Sequence, residues 1–289
     1  MPQAKIAVIG GTGLYDIEGL TDKQEVILDT PFGKPSDNIL VGRLEGIGIA
    51  FLPRHGKGHR ISPTEVPSMA NIYALKSLGV EHIIAVNAVG SLKEETKPGH
   101  LLIPDQLIDR TCLRKNTFFG EGIVAHISLA DPFCPALSQV LYQAAREAGA
   151  TVHKGGTYVV MEGPAFSTRA ESFLHRSWGA DVIGMTALPE AKLAREAEIC
   201  YAIIACATDY DCWHEVCEAV TVEAILDILR RNDEITRKIV KLAAGKMPSP
   251  RKCGCDSALK TAIVTDPKLI PEEQKKKLNL LIGKYIGKA

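Results

Sequence analysis

Cys200-Tyr201-Ala202-Ile203-Ile204-Ala205-Cys206-Ala207-Thr208, followed at once by Asp209-Tyr210-Asp211, decides how this chain is read. The run is apolar on both faces, as expected of a strand buried inside a sheet. A helical pattern precedes it at 189–198. Another follows at 221–244, where Ile225, Leu226, Ile228, Leu229, Ile235, Ile239 and Leu242 recur at helical spacing. A buried strand between two helices predicts an α/β domain with a largely parallel sheet.

The same alternation extends outward in both directions. Residues 5–9, 47–52, 82–88, 157–161 and 181–184 read as short strands, and 101–109 as strand-like. Residues 68–78, 135–149 and 168–178 read as helices, the second with a proline start and a glycine stop. Residues 111–134 lack periodicity and predict a long loop. Met247-Pro248-Ser249-Pro250 breaks the pattern, and a lysine-rich helix near 272–286 closes the chain. The expectation is one α/β domain, 1–247, with a central mixed, largely parallel twisted sheet flanked by helices. A C-terminal helical extension, 248–289, carries Cys253-Gly254-Cys255.

Composition narrows the function. Lys plus Arg is 34 and Asp plus Glu is 34 in 289 residues, so the basic footprint of a nucleic-acid binder is missing. No apolar run approaches the roughly 18 residues of a membrane span. The apolar run near the N-terminus is too short for a secretory signal. A cytoplasmic protein acting on a small molecule is expected. Eight cysteines are the one unusual count.

Polar and glycine-rich clusters follow the strands repeatedly, and strand carboxyl ends are where open α/β sheets bind ligands. Gly10-Gly11-Thr12-Gly13 could cradle an anion with backbone N–H groups. It lacks the third glycine of a dinucleotide fingerprint and the lysine of a P-loop, which disfavours a nicotinamide-dependent oxidoreductase. Arg54, His55, Lys57, His59 and Arg60 crowd one loop with little acidic compensation nearby in sequence. They suggest an oxyanion site, since Arg offers phosphate a bidentate fork. Asp209 and Asp211 would point the same way if the strand continued. They could accept from a ligand's N–H groups, or donate a proton if burial raised one pKa. Cys212, His214 and Cys217 match no standard zinc spacing, so no metal is expected there.

Taken together, six motifs resemble the 5′-methylthioadenosine phosphorylases of the trimeric purine nucleoside phosphorylase family. They are Gly10–Gly13, Thr30-Pro31-Phe32-Gly33, Arg54-His55-Gly56 with His59, Asn87-Ala88-Val89-Gly90-Ser91-Leu92, Glu162-Gly163-Pro164-Ala165-Phe166-Ser167 and Ala207-Thr208-Asp209-Tyr210-Asp211-Cys212-Trp213. The resemblance covers about 5–245 and implies the nucleoside phosphorylase fold. It also implies phosphorolysis of methylthioadenosine to adenine and 5-methylthioribose 1-phosphate. Phosphate would be a co-substrate, and no metal or organic cofactor is implied.

By the same resemblance, Thr12, Arg54, His55, Asn87, Ala88 and Thr186 hold phosphate. Phe166, Ser167, Asp209 and Asp211 face the base, with Asp209 the proton donor. Met185 lines the ribose, and Val222, Ile225 and Leu226 the 5′ pocket. His126 matches a residue contributed by a neighbouring subunit, which implies a homotrimer or a dimer of trimers. Purine nucleoside phosphorylases of broader or 6-oxopurine specificity are the alternative. Those acting on 6-oxopurines carry Asn where Asp209 stands and Glu where Ser167 stands. Asn87 and Ala165 depart from the methylthioadenosine pattern. Cys134, Cys200, Cys206, Cys253 and Cys255 resemble the disulfide-bearing archaeal members, the other reading being free buried thiols.

Overall fold

The computed structural model describes residues 3–15, 17–214 and 222–286. The chain runs β1 (Ile6–Gly10), a 3-10 turn (Thr12–Tyr15), β2 (Thr21–Val26), β3 (Ile39–Leu44), β4 (Ile47–Pro53) and α1 (Ser68–Ser77). It continues through β5 (His82–Ser91), β6 (Leu101–Ile103), β7 (Gln106–Arg110), α2 (Pro135–Glu147), β8 (Val152–Lys154) and β9 (Thr157–Met161). Then come α3 (Arg169–Ser177), β10 (Val182–Gly184), α4 (Glu190–Glu196), β11 (Cys200–Asp209), α5 (Val222–Ala244), a 3-10 turn (Gly254–Ser257) and α6 (Glu272–Ile286).

The expected parallel centre is present. β4, β1, β5 and β11 lie side by side, each pair parallel, with Ile6 opposite both Ile49 and His82, and Cys200 opposite His82. β5 then overruns β1, while β11 stays beside it as far as Gly90. Gly90 and Ser91 pair antiparallel with Ile183 and Val182 of β10, which carries β9 and β7. The sheet therefore forks at the end of β5. The carboxyl ends of β1, β4, β5, β9, β10 and β11 open onto one crevice.

Alternation along β5 sends successive side chains to opposite faces. Ile83 and Ala85 join one buried cluster with Ile72 and Leu75 of α1 and Leu193 of α4. Ile84 joins the other with Leu137 and Leu141 of α2 and Ile239 and Ala243 of α5. Leu278, Leu281 and Ile282 of α6 pack into the first cluster, so the chain beyond residue 247 shares the core of the sheet.

Three strands escape the sequence pattern. β2 is exposed along most of its length, and β8 has only three residues. β3 forms a hairpin with β4 through Glu45 and Gly46, whose φ angles of 50° and 76° are those of a two-residue primed turn. The strand expected over 101–109 is two strands. Pro104 cannot donate to a ladder, and beyond it the chain leaves β6, paired to β11, for β7, paired to β9.

Candidate active site

The crevice at the fork encloses about 610 Å³, within the range of small-molecule sites. Gly10, Gly11, Arg54, His55, Ala88 and Thr186 line it. Met185, Phe166, Thr208, Asp209 and Asp211 line the same cavity. Residues from all along the chain meet here because each follows a strand.

Arg54 directly follows β4 and is 3% exposed. Its Nε and Nη2 donate to the two Glu190 carboxylate oxygens at 2.5 and 3.1 Å. Nη1 donates to Val86 O at 3.1 Å, and Nη2 to Asn87 Oδ1 at 3.0 Å. A guanidinium has five N–H groups, so one on Nη1 remains for a ligand. Burial opposes the charge, but adjacent Glu190 outweighs it and the Arg54 pKa lies above its ordinary value. Tyr201 also donates to Glu190, at 2.9 Å.

The crowded basic loop is thus less cationic than its sequence reads. Lys57 pairs with Glu25 at 3.0 Å, and Arg60 lies 3.6 Å from Asp37. The missing compensation comes from distant parts of the chain. Burial, then the neighbouring Arg54 charge, pushes His55 down to about 4. Its Nδ1 bonds Ile61 O at 2.8 Å, and its ring stacks on His59 at 4.3 Å. His55 is a neutral imidazole at neutral pH.

Asn87 stands one layer behind the wall, its Oδ1 held by Arg54 and its buried Nδ2 without a hydrogen-bond partner. Ser167 also stands back, its Oγ 3.7 Å from Met161 Sδ. His126 is exposed and lies on the long loop, outside this cavity. The side chains of Thr12, Val222, Ile225 and Leu226 fall outside the described residues.

The two aspartates meet differently from the regular strand expected. The pairing of β11 slips between Ala207 and Asp209, and Asp211 turns away at φ 50°. Asp209 Oδ1 instead accepts the Asp211 N–H at 2.7 Å, and Oδ2 accepts from Thr208 Oγ1 at 2.7 Å. A Cβ at Gly90 would come within 2.9 Å of Asp209 Oδ1, so only glycine admits this arrangement. Trp213 Nε1 pins the turn by donating to Ser91 O at 2.7 Å. Burial raises the pKa of both carboxyls, and Asp211 adds repulsion at Asp209.

Several contributors carried no local signal. Glu190 is 136 positions from Arg54, and its meaning appears only once α4 packs against β11. Asp233 of α5 also lines the cavity, beside Gly13. Arg114, in the loop without periodicity, donates to Glu162 Oε1 at 2.9 Å. It also reaches the carbonyls of Glu162, Met185 and Leu188 at 2.6–2.7 Å. Burial opposes ionisation of Glu162, but bonds from Thr64, Cys112 N, Leu113 N and Arg114 hold it down at about 2.

Comparison with known proteins places this geometry in context. The profile of the Phosphorylase superfamily matches residues 5–243. The S-methyl-5′-thioadenosine phosphorylase of Geobacter sulfurreducens is 59% identical over 282 residues, covering 97% of this chain and 99% of the relative. That of Koribacter versatilis is 56% identical, covering 99% and 98%. Among solved structures, a methylthioadenosine phosphorylase from an antarctic soil metagenomic library superposes with a TM-score of 0.93 at 48% identity, covering 97% and 99%. The Schistosoma mansoni methylthioadenosine phosphorylase in complex with adenine gives 0.81 at 39%, covering 89% and 96%.

Proposed function

The chain belongs to the S-methyl-5′-thioadenosine phosphorylase family, and on that premise we propose that it cleaves 5′-methylthioadenosine with inorganic phosphate. The products are adenine and 5-methylthioribose 1-phosphate. The observation that carries this reading is that one cavity is lined by both Arg54 and the Asp209–Asp211 pair.

Phosphate sits against the remaining Arg54 N–H, the Gly10–Gly13 backbone and Thr12, His55, Ala88 and Thr186. Asn87 acts from behind. These groups hold the dianion beside the anomeric carbon, supplying orientation and charge opposite a developing oxocarbenium ion. The C1′–N9 bond breaks, a C1′–O bond to phosphate forms, and the purine accepts a proton. Asp209 supplies that proton or hydrogen bond, which a carboxyl raised by burial can do. Asp211 and Asp209 accept from the 6-amino group. An ionised Asp211 is acceptor-only, so it disfavours a 6-oxopurine. Phe166 and Ser167 flank the base, and Met185 the ribose. Val222, Ile225 and Leu226 form the 5′ pocket with His126 of a neighbouring copy, in a homotrimer or a dimer of trimers. The chemistry needs no cofactor, and we place the enzyme in the cytoplasm.

Purified protein given methylthioadenosine, adenosine or inosine, with and without phosphate, tests this. Phosphate-dependent adenine release fastest from methylthioadenosine is expected. Release indifferent to phosphate, or preference for inosine, overturns it.

A further inference from the structure

Four cysteines the reaction does not use converge away from the cavity. Cys134 caps the N-terminus of α2, Cys200 opens β11, and Cys253 and Cys255 sit at the start of the 3-10 turn in the C-terminal extension. Their four sulfurs all lie within 4.8 Å of one another, and Cys134, Cys200 and Cys255 are buried. Cys200 and Cys253 sulfurs are 3.3 Å apart. The seven described cysteines are free thiols. Cys206, grouped with these four at the level of sequence, stands apart, six residues along the strand and buried near Thr236 of α5.

The arrangement has the dimensions of a tetrathiolate cage. A zinc–sulfur bond of about 2.3 Å places tetrahedral sulfurs about 3.8 Å apart, inside the spread seen here. A pair of disulfides would need each sulfur to turn to one partner. Here each faces three. The surroundings also suit anionic sulfur. Arg195 Nη1 lies 3.8 Å from Cys255 Sγ, and Cys134 stands at a helix N-terminus, where backbone N–H groups favour a thiolate. Cys253 is partly exposed, which leaves an entry path.

We propose that Cys134, Cys200, Cys253 and Cys255 form a closed, structural tetrathiolate site for zinc. It clamps the C-terminal extension to the sheet and the α2 helix. Zinc there has no open coordination position and takes no part in catalysis. Each thiol gives up its proton on binding. The Cys253-Gly254-Cys255 spacing is tighter than the common two-residue spacer, yet both sulfurs reach the cluster.

Metal analysis of the full-length protein, expressed with zinc and purified under reducing conditions without chelator, tests the site. One zinc per chain is expected. The four thiols should resist a thiol reagent until a strong chelator is added, and cobalt exchanged into the site should show the intense visible absorption of tetrahedral cobalt thiolate. The Cys253→Ser/Cys255→Ser double variant should lose the zinc and melt at a lower temperature while retaining phosphate-dependent base release. Should that variant fail to fold, the stoichiometry and cobalt spectrum of the unaltered chain still decide. Two disulfides in protein alkylated directly in the lysate overturn the proposal. So do four reactive thiols that take up no zinc when the ion is supplied. Neither result bears on the phosphorylase reading, which the base-release assay tests separately.

Discussion

Arg54 lines the cavity and is buried with its charge intact, because Glu190 lies 2.5 Å away and Val86 O and Asn87 fill two more donors. Asp209 lines the same cavity and is half-buried, but among the described residues it meets the Thr208 hydroxyl and the Asp211 N–H rather than a cation. Burial therefore lifts its pKa, and Asp211 adds to the lift. The two groups teach different things about placing ionisable side chains at a cavity wall. A cation with a built-in counterion is a fixed field, present before any substrate arrives. A carboxyl without one is poised to change protonation, as a proton donor requires.

The largest expected effect tests the fixed charge. Arg54→Ala leaves Glu190 buried and unpaired, which should cost about 3–5 kcal/mol of stability. Loss of an electrostatic donor should also lower kcat by about 10²–10³. Urea unfolding and phosphorolysis assays measure the two, and Arg54→Lys should not restore activity because it lacks the fork. A stable, active Arg54→Ala variant would break the contrast. Asp209→Asn comes next. It should lower kcat/KM by about 10²–10⁴ with little loss of stability, and shift preference from methylthioadenosine toward inosine. Unchanged kinetics would remove Asp209 from the mechanism.

The smallest effect is in pH dependence, where His55 and Asp209 should slope oppositely. His55 has a folded pKa of about 4 against an ordinary 6.5. It contributes stability above 6.5 that is lost as pH falls toward 4. Asp209 lies above its ordinary 3.8. Its contribution is full below 3.8 and is lost as pH rises through the folded value. Urea midpoints across this range should show His55→Gln flattening the first slope and Asp209→Asn the second. If both variants flatten the same slope, the distinction fails.

What could be read in sequence follows the range of the forces involved. The buried run of β11 and the helices around it were legible because burial on both faces leaves a local pattern. β2 was not, since an exposed edge strand needs no apolar alternation. Arg54, Asp209 and Asp211 stood out by lying at strand ends. Glu190 did not, because a counterion 136 positions away has no local signature. Arg114 was hidden in an aperiodic loop. The basic loop was overread for the same reason, its partners Glu25, Asp37 and Glu190 being remote in sequence.

Arg114 also bears on how the site moves. Its one guanidinium holds the carbonyls of Glu162, Met185 and Leu188 and the Glu162 carboxylate together. The segments after β9 and β10 therefore share a common anchor and cannot loosen separately without giving up bonds at the other. Amide hydrogen exchange along the two segments should rise together when Arg114 is replaced, a single cooperative opening where independent loops would show two.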